Sequence, residues 1–284
     1  MELKRDSTPL GHTMTEFEYR AFREFLEKAC GIVLGENKQY LITSRMKKIL
    51  SEFKLGTLGE LMEEIRRERV SGLRDRVIEA MTTNETSWFR DTQPFNALKE
   101  KIFPLLGKQR KASLRIWSAA CASGQEPYSI GMSLHEYQLT NPGLLSGQAE
   151  IIATDISPTM LKIADKGCYN EVSLARGMTE ERRRRYFERV DEGWRVTSLI
   201  KSNIQFRELN LLQGYALLGR FDIIFCRNVL IYFSKESKKD ILERMARLLN
   251  PGGFLFLGGS ESVTNVTECF SMQNIAGGVV YQVK

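Results

Sequence analysis

Residues 114–129, LRIWSAACASGQEPYS, constrain the fold more than any other stretch of the chain. The apolar start predicts a buried strand, the small residues after it predict a tight turn, and Glu126 with Pro127 is typical of the first turn of a helix. A strand, a small-residue loop and a helix in this order are typical of the nucleotide crevice of a doubly wound parallel sheet. Within residues 114–129 Gly124 is the only glycine, and the dinucleotide-binding pattern GxGxxG is absent. Taken alone, this stretch is therefore explained equally well by an ordinary turn between a strand and a helix.

The first part of the chain predicts a small domain made only of helices. Thr15 with Glu18, and Thr57 with Glu60, have the spacing of capping boxes. Apolar residues recur at helical spacing in four segments joined by short loops, which predicts an all-α domain over residues 15–83. Residues 1–14 are polar, and we expect them to be a disordered N-terminal segment.

Beyond residue 91 the apolar pattern alternates between strands and helices, which is typical of a parallel sheet. Residues 167–206 interrupt this alternation and predict an inserted subdomain with a small antiparallel sheet. The predicted fold class is therefore α/β, with a Rossmann-like domain over residues 92–284 that carries the insertion and follows the all-α domain. The predicted segments are helices 94–106, 126–140 and 158–166, strands 114–118, 151–154, 221–225, 254–257 and 279–282, and strand patterns 194–197 and 204–206 inside the insertion.

Two places after the predicted all-α domain carry polar residues of functional interest. Residues 84–91, NETSWFRD, match neither a helix nor a strand, and a loop that joins two domains and carries Trp88, Phe89 and Arg90 is a candidate binding loop. The alternative is a linker whose aromatic rings dock on the next helix. Asp155 ends the second predicted strand, where carboxylates accept hydrogen bonds from ribose hydroxyls. The alternative for Asp155 is a cap of the following helix, and both roles are compatible.

The formal net charge of +6 and the pI near 9.0 indicate an acidic partner. The second predicted helix carries much of this charge, on Lys38, Arg45, Lys47, Lys48 and Lys54. The run Arg182–Arg185 carries the rest of the concentrated charge and would suit a receptor, an acidic regulator or a phosphate-bearing ligand. For each cluster the alternative is a solvated helix face, and a basic stripe fits nucleic acid as well as an acidic helical protein.

Composition argues against several classes of protein. No apolar run approaches the roughly 18 residues of a membrane span, and the N-terminal residues lack the pattern of a signal peptide, so we expect a cytoplasmic protein without membrane insertion. The five cysteines are scattered without CxxC spacing, which argues against a disulfide framework. Only two histidines are present, which argues against a metal centre.

Several motifs taken together resemble the chemotaxis receptor glutamate methyltransferases, the CheR family. The resemblance covers the ordered chain in the family's order, and TTNETSWFR at residues 82–90 is similar to the family's signature between its two domains. It implies transfer of a methyl group from S-adenosylmethionine to glutamates on the cytoplasmic helical bundle of chemoreceptors, with S-adenosylhomocysteine as product. The other motifs are WSAACASGQEPYS (117–129), ATDIS (153–157), NLL (210–212), FDIIFCRNVLIYF (221–233) and GGFLFLGGSE (252–261).

The resemblance also implies site residues. Arg90 and Tyr232 match the residues that the family places beside the transferred methyl group. Asp155 matches the ribose contact, and Asn210 and Leu211 lie where the family binds the adenine. The full set that matches the family's cofactor contacts is Asn84, Thr86, Arg90, Glu126, Asp155, Asn210, Leu211, Arg227 and Asn228.

One departure concerns the insertion. Family members that tether to a pentapeptide at a receptor's C-terminus carry a longer, glycine-containing loop in the small β subdomain. Here residues 190–194, VDEGW, are short and contain the single glycine Gly193. We therefore expect a member that does not depend on this tether.

The implied chemistry needs no general base. A glutamate side chain has an unperturbed pKa of about 4.3 and is already ionised at neutral pH, which fits a chain with two histidines and no Ser-His-Asp arrangement. Alignment and exclusion of water must lower the barrier instead. Arg90 can hold the carboxylate through its planar fork, and the Tyr232 hydroxyl can orient it.

The acidic substrate helices make Arg45, Lys47 and Lys48 the natural docking surface, with salt-sensitive association. A nucleic-acid methyltransferase is one alternative, because fold and cofactor are shared. It is disfavoured because residues 227–230 lack the Asn-Pro-Pro-aromatic motif of adenine-directed enzymes and Cys226 lacks a partnering cysteine motif. A noncatalytic adaptor that senses the cofactor is the second alternative, and the presence of both Arg90 and Tyr232 argues against it.

Overall fold

The computed structural model describes residues 14–109, 113–145 and 147–284. They form two compact units, residues 14–83 with Tyr232–Ser234, and residues 84–231 with 235–284. The N-terminal segment that is predicted to be disordered lies, up to residue 13, outside the described residues. Within the described part, no helix is both long and apolar enough to cross a membrane.

The first unit contains the four predicted helices. The capping box of Thr15 and Glu18 is present in full, whereas Thr57 accepts a hydrogen bond from the Glu60 amide while the Glu60 carboxylate accepts one from Gly56 instead of Thr57. The helices bury one face each in a shared core, with side chains such as Phe22, Ile42 and Leu61 fully buried. They are α1 (Glu16–Cys30), α2 (Gln39–Glu52), α3 (Leu58–Arg66) and α4 (Leu73–Met81).

The second unit contains a seven-stranded mixed sheet and a separate three-stranded antiparallel sheet, which confirms the predicted fold class. The strands are β1 (Ser113–Ala119), β2 (Gln148–Asp155), β3 (Cys168–Tyr169), β4 (Phe187–Val190), β5 (Gly193–Val196), β6 (Ile204–Glu208), β7 (Phe221–Cys226), β8 (Leu249–Leu257), β9 (Phe270–Ile275) and β10 (Gly278–Val283). The large sheet has the order β6-β2-β1-β7-β8-β10-β9, and its first five strands are parallel. The strands β10 and β9 close it antiparallel.

The helices of this unit follow the predicted alternation with one difference. The segment predicted as a single helix over residues 94–106 is interrupted by a π turn at Leu98–Ile102, between α5 (Gln93–Ala97) and α6 (Phe103–Lys108). The remaining helices are α7 (Gln125–Thr140), α8 (Pro158–Lys166), α9 (Glu171–Ala175), α10 (Glu180–Tyr186), α11 (Ser198–Lys201) and α12 (Lys235–Leu248).

The strand pattern at residues 204–206 was expected inside the insertion, and this is wrong. Strand β6 pairs in parallel with β2, with Ile204 beside Ile151, and forms the edge of the large sheet. The small sheet consists of β3, β5 and β4 and ends at Val196.

The parallel strands place their carboxyl ends at one edge. Every residue of β7 is buried, as is typical of a parallel strand covered on both faces. The register sets Ala119 at the end of β1 beside Thr154 of β2 and Cys226 of β7. The loops after β1, β2, β6 and β7 therefore meet along this edge, where ligands bind in doubly wound sheets.

Candidate active site

Asp155 fixes the loop that follows β1. Its Oδ2 accepts a hydrogen bond from the Ala122 amide at 2.8 Å, and its Oδ1 accepts one from the Ser157 amide at 2.9 Å. The α8 helix is capped by Ser157, whose Oγ accepts from the Met160 amide at 3.1 Å, so the alternative that Asp155 is the helix cap is wrong. A carboxylate has about four lone-pair positions and can accept more than two donors at once.

The loop itself is compact and strained. Ala120 and Ala122 have φ angles of 58° and 48°, and Gly124 has 94°. An alanine has a steric cost in the left-handed region that glycine does not have, and the hydrogen bond that the Ala122 amide donates to Asp155 stabilises this conformation. At Gly124 the missing side chain makes room for the protein itself, because a Cβ there would lie 2.8 Å from the Ala164 Cβ and 3.0 Å from the Tyr169 hydroxyl. Close approach of a ligand to this loop stays a prediction.

Arg227, directly after β7, is the centre of a buried ionic cluster. Its side chain is 2% exposed, and its Nη1 donates to Glu126 Oε2 at 3.1 Å. Its Nη2 donates to Asp91 Oδ2 at 2.6 Å and to the Arg90 carbonyl at 2.9 Å. Glu126 also accepts from the Ser118 hydroxyl at 2.8 Å. Arg227 thereby links three places that the sequence singles out, the end of β7, the start of α7 and the loop of residues 84–91.

One nitrogen of this cluster has no protein partner. Within residues 14–109, 113–145 and 147–284, the buried Nε of Arg227 makes no hydrogen bond. Buried polar atoms are almost always satisfied by protein, water or ligand. The orphaned Nε is therefore an observation in favour of a bound polar group at this position.

Burial raises the pKa of Glu126, although the positive charges of Arg227 and Arg90 and the hydrogen bond from Ser118 oppose the shift. The folded chain thus holds a proton on Glu126 more tightly than the unfolded chain does. This contribution to stability is complete below the ordinary pKa of about 4.3 and is lost as the pH rises through the raised pKa of the folded state.

Replacing Glu126 with glutamine is expected to remove this pH dependence. Urea unfolding at a series of pH values measures it in both chains. The free energy of unfolding of Glu126→Gln, relative to that of the parent, should rise from about pH 4 upward until the raised pKa is passed. A difference that is the same at every pH would contradict the raised pKa.

The loop of residues 84–91 lies in an unusual conformation that several contacts hold in place. Phe89, Asp91 and Thr92 have φ angles of 48°, 66° and 49°, and such non-glycine residues cost about 1–3 kcal/mol each. The amide of Trp88 donates to the Arg176 carbonyl at 3.0 Å, and that of Phe89 to Ser129 Oγ at 3.1 Å. The side chains of Trp88 and Phe89 are buried, which agrees with the alternative in which the aromatic rings of this loop pack against the protein. Arg90 in the same loop is only half-buried.

Arg90 is half-buried, and its Nη1 donates to the Glu85 carbonyl at 3.1 Å. The two other predicted contacts on this loop, Asn84 and Thr86, are also half-buried. Arg90 is joined to the ionic cluster through its own carbonyl and through Asp91, which the sequence analysis did not name. No local pattern marks Asp91, because its partner Arg227 is 136 residues away.

The predicted adenine contacts follow β6. Asn210 Oδ1 accepts from the Leu212 amide at 3.0 Å, and Leu211 is 6% exposed. Asn228, after β7, has a φ of 58°, and its amide donates to Glu261 Oε2 at 2.7 Å.

Glu261 is a residue that the sequence analysis missed. Its carboxylate also accepts from the amides of Val229 at 3.0 Å and Gly258 at 2.7 Å, and it thereby fixes the turn after β7. Its position in the motif GGFLFLGGSE was the available signal.

Tyr232 clusters with the helical unit, where its carbonyl accepts a hydrogen bond from the Val33 amide at 2.8 Å. Its place beside the transferred methyl group stays a prediction.

The three predicted docking residues differ in their contacts. Arg45 Nη1 donates to the carbonyls of Met81 and Thr82 at 2.7 and 2.8 Å, and so satisfies the C-terminal end of α4. The sequence analysis did not predict this structural role. Lys47 and Lys48 are exposed on α2 and remain available.

The arginine run is engaged in ion pairs within the chain. Arg182 pairs with Glu136, Arg183 with Glu171 and Glu180, Arg184 with Glu180, and Arg185 with Glu181. These contacts favour a structural role for the run over a site for a phosphate-bearing ligand.

Comparison with known proteins decides the family. The family model of the CheR methyltransferase SAM binding domain matches residues 84–279, and the family model of the CheR methyltransferase all-alpha domain matches residues 18–82. The chain belongs to the CheR methyltransferase family. It is 50% identical over 269 residues to chemotaxis protein methyltransferase Cher2 of Pseudomonas putida, and equally to chemotaxis protein methyltransferase 1 of Pseudomonas aeruginosa, with 94% of this chain and 98% of each relative covered. The chemotaxis protein methyltransferase of Vibrio parahaemolyticus is 48% identical over 273 residues, which cover 96% of this chain and 98% of that protein.

The predicted family, enzyme class and cofactor are thereby confirmed. The protein is an S-adenosylmethionine-dependent methyltransferase of chemotaxis. The site fits this cofactor by its donor set: Asp155 offers a carboxylate for ribose hydroxyls, Glu126 one for an ammonium group, and the orphaned Nε of Arg227 suits a carboxylate. Within the described residues, no cluster of histidine, cysteine or acidic side chains is arranged to hold a metal ion.

Proposed function

We propose that this methyltransferase esterifies the side-chain carboxylates of specific glutamates on the cytoplasmic helical bundle of chemoreceptors, and that it works in the cytoplasm. The observation that supports this most strongly is the coupling of Arg90 to the buried cluster of Arg227, Glu126 and Asp91 at the carboxyl edge of the sheet. The cluster fixes the backbone of Arg90 through its carbonyl, and a guanidinium presented from a fixed backbone is suited to an anionic acceptor. The names of the relatives support a role in chemotaxis.

When bound, S-adenosylmethionine supplies a methyl group on a sulfonium, which a carboxylate oxygen accepts by in-line displacement to leave S-adenosylhomocysteine. The acceptor is ionised at neutral pH, so the protein's task is alignment and exclusion of water. Arg90 holds the acceptor carboxylate through its fork, and the hydroxyl of Tyr232 orients it. Since a grip that is equally tight in the ground state gives no acceleration, the gain from Arg90 comes from orientation.

In this proposal the other predicted residues bind the cofactor. Asp155 accepts from the ribose, Asn210 and Leu211 adjoin the adenine, and Arg227 with Glu126 faces the amino-acid end. Asn84, Thr86 and Asn228 complete the set on the two flanking loops.

Methyl transfer to a receptor fragment tests the function directly. The enzyme is incubated with labelled S-adenosylmethionine and either the cytoplasmic fragment of a receptor or total RNA. The total label on each acceptor is counted, and on the receptor fragment the base-labile methyl esters are counted as well. We expect label on the receptor fragment and none on a fragment whose acceptor glutamates are replaced by alanine. Label on RNA, or none on any receptor, would refute the proposal and favour the nucleic-acid or adaptor alternatives.

Charge reversal at Lys47 and Lys48 tests the docking surface. The double variant Lys47→Glu/Lys48→Glu should lower kcat/KM for the receptor fragment about tenfold at low salt, and the deficit should shrink as salt screens the charges. Lys28→Glu, on an exposed position of α1, is the matched control and should behave as the parent. Unchanged methylation by the double variant would refute this surface.

The short hairpin of the insertion supports independence from the receptor pentapeptide. Strand β4 ends at Val190 and β5 begins at Gly193, so only Asp191 and Glu192 connect them. Calorimetric titration with the free pentapeptide should show no tight binding. Saturable, sequence-specific binding would show that this prediction is wrong.

A further inference from the structure

Arg182 differs from the other members of its run. Its Nε and Nη2 donate to the two oxygens of Glu136 at 2.7 and 2.9 Å, a bidentate arrangement that fixes the plane of the guanidinium. Its side chain is 21% exposed, whereas that of Arg184 is 79% exposed. The guanidinium carbon lies 3.7 Å from the centre of the Phe89 ring.

Glu136 holds Arg182 in this position. Burial raises the pKa of Glu136, but the hydrogen bonds and charge of Arg182, together with Lys99, outweigh burial and lower it. Lys99 Nζ lies 3.2 Å from the same carboxylate. Glu136 is therefore ionised at neutral pH, and its two hydrogen bonds fix the plane of the Arg182 guanidinium that contacts the Phe89 ring.

Phe89 connects this contact to Arg90, the next residue. Phe89 is 6% exposed. Its ring contacts Arg182 and also lies 5.2 Å, centre to centre, from the Phe95 ring. Its backbone has the left-handed φ of 48°, which an aromatic residue keeps only when its surroundings impose it. A shift of the Phe89 ring would therefore alter the backbone angles of Phe89 and, with them, the direction of the Arg90 side chain.

We propose that Arg182 is a positioning residue for methyl transfer, which acts on Arg90 by clamping the Phe89 ring. This inference rests on the proposed function of Arg90. It assigns to part of the arginine run a role that charge alone does not indicate. Because misplacement of a reacting group by about 1 Å can cost on the order of 100-fold in rate, loss of the clamp should be visible in kcat.

The first test compares three variants on the receptor fragment. Arg182→Ala is expected to lower kcat about tenfold or more with little change in KM for S-adenosylmethionine. Arg182→Lys keeps a charge beside Glu136 but lacks the planar fork, and should fall between the alanine variant and the parent. Arg184→Ala, on the same helix and paired only with Glu180 among the described contacts, should match the parent. Equal kcat for Arg182→Ala and the parent would overturn the proposal.

The second test asks whether Arg182 acts through Arg90. In the Arg90→Ala background, adding Arg182→Ala should lower kcat less than twofold, because the group that it positions is already gone. Hydrogen exchange of residues 88–92 should accelerate in Arg182→Ala and stay unchanged in Arg184→Ala. The same tenfold loss in both backgrounds would show a general structural effect and overturn the proposal. If Arg90→Ala alone leaves kcat unchanged, it is the proposed role of Arg90 that fails, and the two failures are thus distinguished.

Discussion

Replacement of Arg90 by alanine is expected to lower kcat for receptor methylation about 100-fold while the chain still folds. The loss follows from the acceptor chemistry, since an ionised carboxylate needs no base and depends on being aligned with the methyl group. The fold should survive because the Arg90 side chain is only half-buried and its hydrogen bond to the Glu85 carbonyl is exposed to solvent. Its carbonyl, which Arg227 binds, is retained in the variant.

Steady-state kinetics with labelled cofactor measure this effect, and thermal unfolding checks the fold. Arg90→Lys is the matched variant: it retains the charge without the planar fork and should recover only part of the rate. If Arg90→Ala turned over at the parent rate, Arg90 would have no part in the mechanism.

Replacement of Arg227 by methionine is expected to have the largest effect on stability, a loss of about 3–5 kcal/mol in the free energy of unfolding. The variant leaves the Glu126 carboxylate without its buried partner and the Arg90 carbonyl without its donor. Against a typical total of about 5–15 kcal/mol, this is a large share. Activity should fall as well, because the same side chain holds the loop of Arg90.

Urea unfolding measures this loss, and a second substitution separates its causes. Glu126→Leu in the Arg227→Met background removes the unpaired carboxylate and should restore part of the stability, since apolar replacements of a buried pair are often nearly neutral. It should not restore activity. If Arg227→Met unfolded at the same urea concentration as the parent, the buried cluster would not exist in solution.

The fold was predictable where the signal is local. The capping box at Thr15 and the strand, turn and helix of residues 114–129 are each determined by residues that are neighbours in the sequence. Strand β6 was misassigned because alternating Ile204 and Phe206 suits a hairpin and a sheet edge equally well. Its partner β2 is about fifty residues away in the chain, and only tertiary pairing distinguishes the two.

The site was predictable as a list of residues but not as a network. The family resemblance points to Arg90, Glu126 and Arg227 separately. That Arg227 joins the other two requires contacts across 101 and 137 residues. Likewise, the ion pairs of Arg184 with Glu180 and of Arg185 with Glu181 follow from the i,i+4 spacing of a helix. The contacts of Arg182 with Glu136 and Phe89 join residues that are far apart in the sequence and form only in the folded chain.

A crystal structure of the protein with S-adenosylhomocysteine tests the central claim most directly, that the sheet edge after β1, β2, β6 and β7 is the crevice in which the methyl group is presented. We expect the ribose hydroxyls within hydrogen-bonding distance of Asp155, the adenine beside Leu211, and the sulfur facing Arg90. The product bound elsewhere on the protein, or a crevice that excludes it, would contradict the account.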